Sequence, residues 1–363
     1  MSQKTWDLDA RPLGAEWIYP RREKEHKIRK VLLICAHPDD ADLLTGGLAM
    51  RLRARGHKIK FVSATNGNKG HYKMDPVSLA KRRHDEALKA ADHVGADYET
   101  LNINDGEVWV NDEQLRRVMR CIREYAPDLI ITHRPNDYHR DHRYVGQLVM
   151  DASYMLIVPL MYPEYRTPYR DMPVIAYAYD NFDNPPFSPT VILDITDVYE
   201  KKAMGCMQHE SQLLEWLPYT YSMENTLPEE YDYNKRREIV ETLIQYQFSS
   251  AMSNFRKLVK AGYPDRKVRQ IEVYEICPYG KQPSLKELKE LFPGAIYPSK
   301  ADIEGVTSDI PDLKEQIKDL KKEIKELKVK LGGDKDVPKE AKESKPATKE
   351  TKVSAKAKEG DKK

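Results

Sequence analysis

The sequence holds little that would commit it to a membrane, an oxidising compartment or a nucleic acid. No stretch reaches eighteen consecutive apolar residues, so no membrane-spanning helix is expected. The first residues, MSQKTWDLDARPLGAEW, lack the apolar core of a secretory leader. Only four cysteines are present, Cys35, Cys121, Cys206 and Cys277. They are scattered, share no CxxC spacing and sit among apolar residues, which predicts reduced, buried thiols and a cytoplasmic setting. The formal charge is only +2 over 363 residues, too balanced for a dedicated nucleic-acid binder, which concentrates basic charge on one face. A GxGxxG signature is also missing. Only Gly46 and Gly47 follow the first apolar run, which argues against dinucleotide binding.

What is present is alternation. The run from Lys30 to Ala36 is short, apolar and followed by a loop, the pattern of a buried parallel strand. Lys58–Thr65, Tyr98–Ile103, Asp128–Thr132, Val174–Tyr179 and Val191–Ile195 read the same way. A late strand is expected near Gln270–Ile276. Between them lie helical stretches, Gly46–Arg55, Val77–Val94, Asp112–Tyr125, Tyr144–Met155 and Val198–Leu214, then Tyr233–Ala261 and Pro283–Phe292. Strand and helix in turn predict an α/β fold, a Rossmann-like, mostly parallel sheet flanked by helices. Ligands of such sheets bind beyond the carboxyl ends of the strands. Three polar clusters fall there: AHPDDAD, TNGNKGHY and THRPNDYHRDH.

The first cluster packs one histidine and three aspartates into six residues. Carboxylates at that density repel one another, and a bound dication would reverse the balance. His37 and Asp40 are a nitrogen and an oxygen ligand on a loop that Pro38 helps to shape. A catalytic zinc needs three protein ligands and an open position, so a third must come from another strand end. The loop after the fourth strand offers His133, His139 and His142. The plainer reading of such residues is loop and helix-cap chemistry, with Asp42 a candidate cap.

AHPDD after the first strand, GG shortly after it and HxDH after the fourth strand resemble the PIG-L/LmbE-like zinc-dependent N-deacetylases. The likeness continues through the TNG loop, RRHDEALKAA, LDITDVYEKKAMGCMQHESQ and EICPYGKQPSLKELKELFP. The resemblance implies that His37, Asp40 and His142 hold Zn2+, with Fe2+ able to use the same ligands. It implies that Asp39 is the general base. It gives His139 the oxyanion and the leaving amine, and Asp141 the task of orienting and charging His139. Arg83 is expected either at the substrate or paired with Glu86 along its helix; Asn66, Asn136 and Asp137 are candidates for a sugar pocket. His209 is expected in the core or near the site, and His71 and Tyr72 in a lid hinged on Gly67 and Gly70. Two departures stand out: Ala41 follows HPDD where many members carry Glu, and Arg140 occupies the middle of HRDH where HPDH is common.

The implied activity is removal of an acyl group, expected to be acetyl, from an N-acylated amino sugar or its conjugate. The rival reading is a non-catalytic binding or scaffold protein on the same fold. Residues 1–28 are expected to form an N-terminal arm and 29–298 the deacetylase domain. Residues 305–331 contain a heptad seam, Ile310, Leu313, Ile317, Leu320, Ile324, Leu327 and Leu331. It either pairs with a second copy to make a homo-oligomer or lies on the body as one amphipathic helix. Residues 332–363, almost all Lys, Glu, Ala, Ser and Thr, cannot repay their ordering entropy and are expected to be a disordered charged tail.

Overall fold

Val31, Leu32, Leu33, Ile34 and Cys35 are all buried, because the strand they form has helices on both faces. In the computed structural model, which describes residues 27–182, 185–223 and 232–307 together with Lys322, this strand, β1 (Lys30–Cys35), lies inside a seven-stranded sheet. The other strands are β2 (Lys58–Thr65), β3 (Asp97–Ile103), β4 (Leu129–Thr132), β5 (Val174–Ala178), β6 (Val191–Asp194) and β7 (Ile271–Ile276). Their order is β3-β2-β1-β4-β5-β7-β6. The pairs from β3 through β5 are parallel, and β7 runs antiparallel to both neighbours. The fold is therefore the expected mixed α/β arrangement with a mostly parallel sheet.

The chain builds outward from β1 through β2 to β3, then crosses back to place β4 on the other side of β1. Connections thus diverge between β1 and β4, which opens a crevice at their carboxyl ends. Helices α1 (Asp40–Ala54), α2 (Pro76–Val94) and α5 (Tyr199–Cys206) lie on one face, and α3 (Asp112–Tyr125) and α4 (Arg140–Met155) on the other. Val31, Leu33 and Cys35 pack with Leu48 and Leu52 of α1. Leu32 and Ile34 pack with Val118 of α3 and Val145 of α4. The alternation along β1 is the period of two that every strand imposes.

After α5 the chain makes a π-helical turn, Ser211–Trp216, and a short helix α6 (Leu217–Thr220). Helices α7 (Tyr233–Asn254), α8 (Arg256–Gly262), α9 (Leu285–Leu291) and α10 (Lys300–Thr307) complete the described residues. Two expected boundaries move. Helix α1 starts at Asp40, six residues before Gly46, and α4 starts at Arg140, four residues before Tyr144. The Gly46–Gly47 pair reads as a helix start, yet it lies inside α1. A Cβ on Gly47 would stand 2.6 Å from Ile195 Cγ2 and 3.0 Å from Glu272 Oε1; Gly47 is small because Ile195, just past β6, and Glu272 of β7 press there. The single helix expected over Val198–Leu214 is broken into α5 and the π-turn, and Tyr233–Ala261 divides at Phe255. No helix among the described residues is long and apolar enough to cross a membrane. Of the expected arm over residues 1–28 all but 27 and 28 lie outside the described residues, as do the heptad seam at 310–331 and the tail, Lys322 excepted.

Candidate active site

The β1–α1 loop is a tight turn. Its amides are tied down by Asp40, whose Oδ2 accepts from the His37 amide at 2.7 Å, while Asp40 N–H donates to His37 O at 3.3 Å. Asp39 occupies the N-cap position of α1 but makes no side-chain cap there; its carboxylate takes Arg83 of α2 instead. Asp40 and Asp42 sit in the first helical turn, where the positive end of the helix favours negative charge. The β4–α4 loop uses the same device. His139 is the N-cap of α4, and its Nδ1 accepts from the Asp141 backbone N–H at 3.1 Å. Both motifs are therefore helix N-termini as well as strand ends.

These two turns bring the motif histidines and carboxylates together. His37 Nδ1 lies 3.2 Å from His142 Nε2 and 3.5 Å from Asp40 Oδ2, and His142 Nε2 lies 3.6 Å from the same oxygen. A tetrahedral ion with ligand bonds of about 2.0–2.1 Å spaces its ligand atoms about 3.4 Å apart. The triangle of one carboxylate oxygen and two imidazole nitrogens fits one face of such an ion. Three overlapping groups keep their ligand atoms within 4.8 Å of one another: His37, His139 and His142; Asp40, His133 and His142; His37, Asp105 and Asp141. His133 is the weaker third corner, because its Nε2 already accepts from the Ala36 N–H at 3.0 Å. It stacks on the His142 ring at 3.9 Å instead.

The electrostatics ask for a cation. Burial opposes charge on His37, but Asp105, Asp141 and Asp40 outweigh it and hold the imidazole well above the ordinary histidine range. Burial, reinforced by His37 and His142, pushes His139 down. Burial and the charge of His142 likewise lower His133. Asp40 is held well below the carboxylate range: burial works against its charge, and His142 and His133 prevail.

The remaining predicted residues fall in distinct places. Arg83 is 3% exposed. Its Nη2 donates to Asp39 Oδ1 at 2.8 Å and its Nη1 to Gly67 O at 3.1 Å. The pair expected with Glu86 does not form, because the helix partner of Glu86 is Arg82, at 2.9 Å. Gly67, at φ +68°, leaves room for that guanidinium; a Cβ would meet it at 2.5 Å. Asp137 stands behind His142, 3.1 Å from Nδ1 but off the line of a hydrogen bond, and accepts from the His139 amide at 2.9 Å. The Asp141 carboxylate bonds the next loop rather than His139, and Oδ2 lies 3.7 Å from His37 Nε2. Its oxygens accept from the Gly106 and Val108 amides at 2.6 and 3.3 Å, so it is the Asp141 amide that orients the His139 ring. Asn66 Nδ2 donates to Asn102 Oδ1 at 3.1 Å and lines a pocket with Pro38, His84, Tyr98, Thr100 and Asn102. Asn136 is half-buried in the β4–α4 loop.

His209 is buried against Asp42, Nε2 to Oδ2 3.0 Å; the acid that replaces the usual neighbour of HPDD thus faces α5 and the turn after it. Arg140 lies 3.7 Å over the Trp109 ring and donates to the Gly106 and Val108 carbonyls at 3.1 and 3.3 Å. It clamps the β3–α3 loop. The expected lid residues are pinned: His71 contacts Glu215 at 2.9 Å, and Tyr72 stacks on Tyr219 at 4.2 Å. One residue escaped the sequence reading. Asp105, 8% exposed, lies 3.4 Å from His37 Nε2. The only signal was NDG, which reads as a plain turn.

Two strand ends that meet at the switch point, with this triangle between them, carry the family motifs in register. The family described as PIG-L, GlcNAc-PI de-N-acetylase, matches residues 32–153. Residues 32–153 form a PIG-L domain. The span runs from β1 through most of α4 and so holds both motif loops of the domain. The diacetylchitobiose deacetylase of Thermococcus kodakarensis is 26% identical over 211 residues, 54% of this chain and 77% of its own. The 4-oxalmesaconate hydratase of Pseudomonas putida is 25% identical over 198 residues, 52% of this chain and 76% of its own. Among solved structures, N,N'-diacetylchitobiose deacetylase from Pyrococcus horikoshii aligns with a TM-score of 0.55 and 25% identity, over 69% of this chain and 84% of that one. The PIG-L domain here is continuous with β5–β7, so the sheet extends well beyond the matched residues.

Proposed function

We propose that this protein is a metal-dependent N-deacetylase that hydrolyses the acetamide of an N-acetylglucosamine-type sugar or conjugate. The supporting observation is the triangle of His37, Asp40 and His142, with Asp39 next to Asp40 in the chain and its carboxylate held by Arg83. A divalent ion held by those three residues, zinc or ferrous iron, would acidify a water and polarise the acyl carbonyl. Asp39 takes the proton as the water oxygen bonds to the acyl carbon. Arg83 occupies Oδ1, and Oδ2 has no hydrogen bond from the described residues, so one oxygen positions and the other reacts. His139 accepts at Nδ1, so its neutral ring carries the hydrogen on Nε2 and offers it to the developing oxyanion. The C–N bond then breaks, the nitrogen takes the proton from Asp39, and acetate and free amine remain. Tyr138, 65% exposed and edge-on to His139 and His142, stands at the mouth where the sugar would enter. Names of relatives support the substrate class, and a scaffold role finds no support in them.

The hydratase relative uses the same fold with a different name, so the product decides. Purified protein is loaded with Zn2+ or Fe2+ and given diacetylchitobiose and N-acetylglucosamine conjugates. Acetate release, matched by free amine and absent in Asp39→Ala, is the expected result. No acetate from any of these, with 4-oxalmesaconate hydrated instead, would overturn the reading.

A further inference from the structure

Asp105 arrives from an element that neither motif includes. The β3–α3 loop carries it, and that loop is fastened from several sides. Asp141 takes the Gly106 and Val108 amides, Arg140 takes the Gly106 and Val108 carbonyls, and Gln114 bonds Glu107 O and Trp109 N. The Asp105 amide itself donates to Asn68 Oδ1 at 3.0 Å. Each of these contacts holds backbone; together they aim one buried carboxylate inward. Its Oδ1 lies 3.4 Å from His37 Nε2, the ring nitrogen opposite the one that faces Asp40 and His142. Its Oδ2 lies 3.8 Å from Arg83 Nη1, and Arg83 Nη2 holds Asp39 at 2.8 Å. Imidazole ligands that donate their far N–H to a carboxylate are fixed in tautomer and ring angle, and loss of that carboxylate typically weakens metal affinity about 10–100-fold.

We propose that Asp105 is a positioning residue that sets the His37 ring through Nε2 and, through Arg83, the Asp39 carboxylate. One carboxylate thereby sets the metal-holding corner and the base at a fixed spacing. This rests on the deacetylase reading above for the identity of corner and base, but its test does not depend on turnover.

Zn2+ affinity is measured by chelator competition on wild type, Asp105→Asn, Asp105→Ser and His37→Ala, with far-UV circular dichroism as the check on folding. The visible spectrum of the Co2+ form reports ligand geometry. In Asp105→Asn, Zn2+ binding is expected to weaken about 10–100-fold, with a changed Co2+ spectrum, lower kcat and a KM within about twofold of wild type. Asp105→Ser, which leaves a smaller uncharged side chain, is expected to show the same loss if Asn fails to fold. Affinity and spectrum unchanged in a folded Asp105 variant overturn the proposal and leave the deacetylase reading standing. A raised KM with unchanged affinity also overturns it and gives Asp105 to the substrate. Wild-type affinity in His37→Ala would sink the metal site itself, and both readings with it.

Discussion

Two places in this molecule bury a cluster of charge, and they solve the problem in opposite ways. Beneath α1, Glu272 of β7 is closed: its oxygens take the Gly47 and Leu48 amides, the Lys202 ammonium and the Tyr274 hydroxyl, each at 2.8 Å. The carboxylate is matched by donors from three elements, and nothing is left to bind. At the β1–β4 switch point, Asp40, Asp105 and Asp141 converge on the ring nitrogens of His37, and Asp40 and Asp137 on those of His142. There two ring nitrogens face each other at 3.2 Å with a carboxylate oxygen completing the triangle. A cluster closed by its own donors is architecture. A cluster whose acceptors outnumber its donors around one point is a binding site.

The largest effect expected from breaking the open cluster is in His142→Ala. Removing one corner of the triangle is expected to abolish stoichiometric metal, read by elemental analysis, and acetate release with it. A full metal complement in that variant would return the third corner to His133 or His139. Next is Asp39→Ala, which keeps all three corners. Metal content should stay at wild-type level while kcat falls about 10²–10⁴-fold, the range for loss of a positioned acid–base group. Breaking the closed cluster should do the reverse. Lys202→Met leaves the Glu272 charge buried without its cation, both side chains being under 5% exposed. A loss of about 3–5 kcal/mol in unfolding free energy is expected from urea titration, with unchanged metal affinity in the folded protein. Restoring part of that stability by Glu272→Gln in the same chain would show that the unpaired charge, not the lost volume, was the cost.

The same contrast explains what could be read without coordinates. Apolar runs of five to eight residues between helical stretches placed all seven strands to within a residue at each end, because burial on both faces leaves no other pattern. HPDD and HRDH announced the open cluster because their residue types are costly to place together without a ligand. What escaped depended on side-chain direction across elements. Arg83 lies on a helix whose sequence gives its face but not its partner, and the guanidinium turned to Asp39. Asp105 sits in a turn whose composition says only turn. Asp141 reads as the partner of His139, yet a helix N-cap puts its amide there and sends its carboxylate to the next loop. Helix starts were misplaced at Asp40 and Arg140 for the same reason: residues chosen for chemistry hid the capping they also perform.

The smallest effect tests whether the loop that carries Asp105 depends on Arg140. Arg140 is the first residue of α4, directly after its cap His139. Its amide is one of the helix donors without an intrahelical partner, and a proline is well tolerated at that position. Arg140→Pro therefore restores the commoner HPDH form while keeping the helix start, whereas Arg140→Ala removes the side chain alone. Both lose the stacking on Trp109 and the two bonds to the β3–α3 loop. Both are expected to cost about 1 kcal/mol, the scale of one exposed cation–π contact, and to loosen the loop in hydrogen exchange at Gly106 and Val108. Because Asp141 still holds both amides, Asp105 should keep its place and metal affinity should fall less than in Asp105→Asn. Were Arg140→Pro to lose metal as fully as His142→Ala, the loop clamp would belong to the open cluster after all.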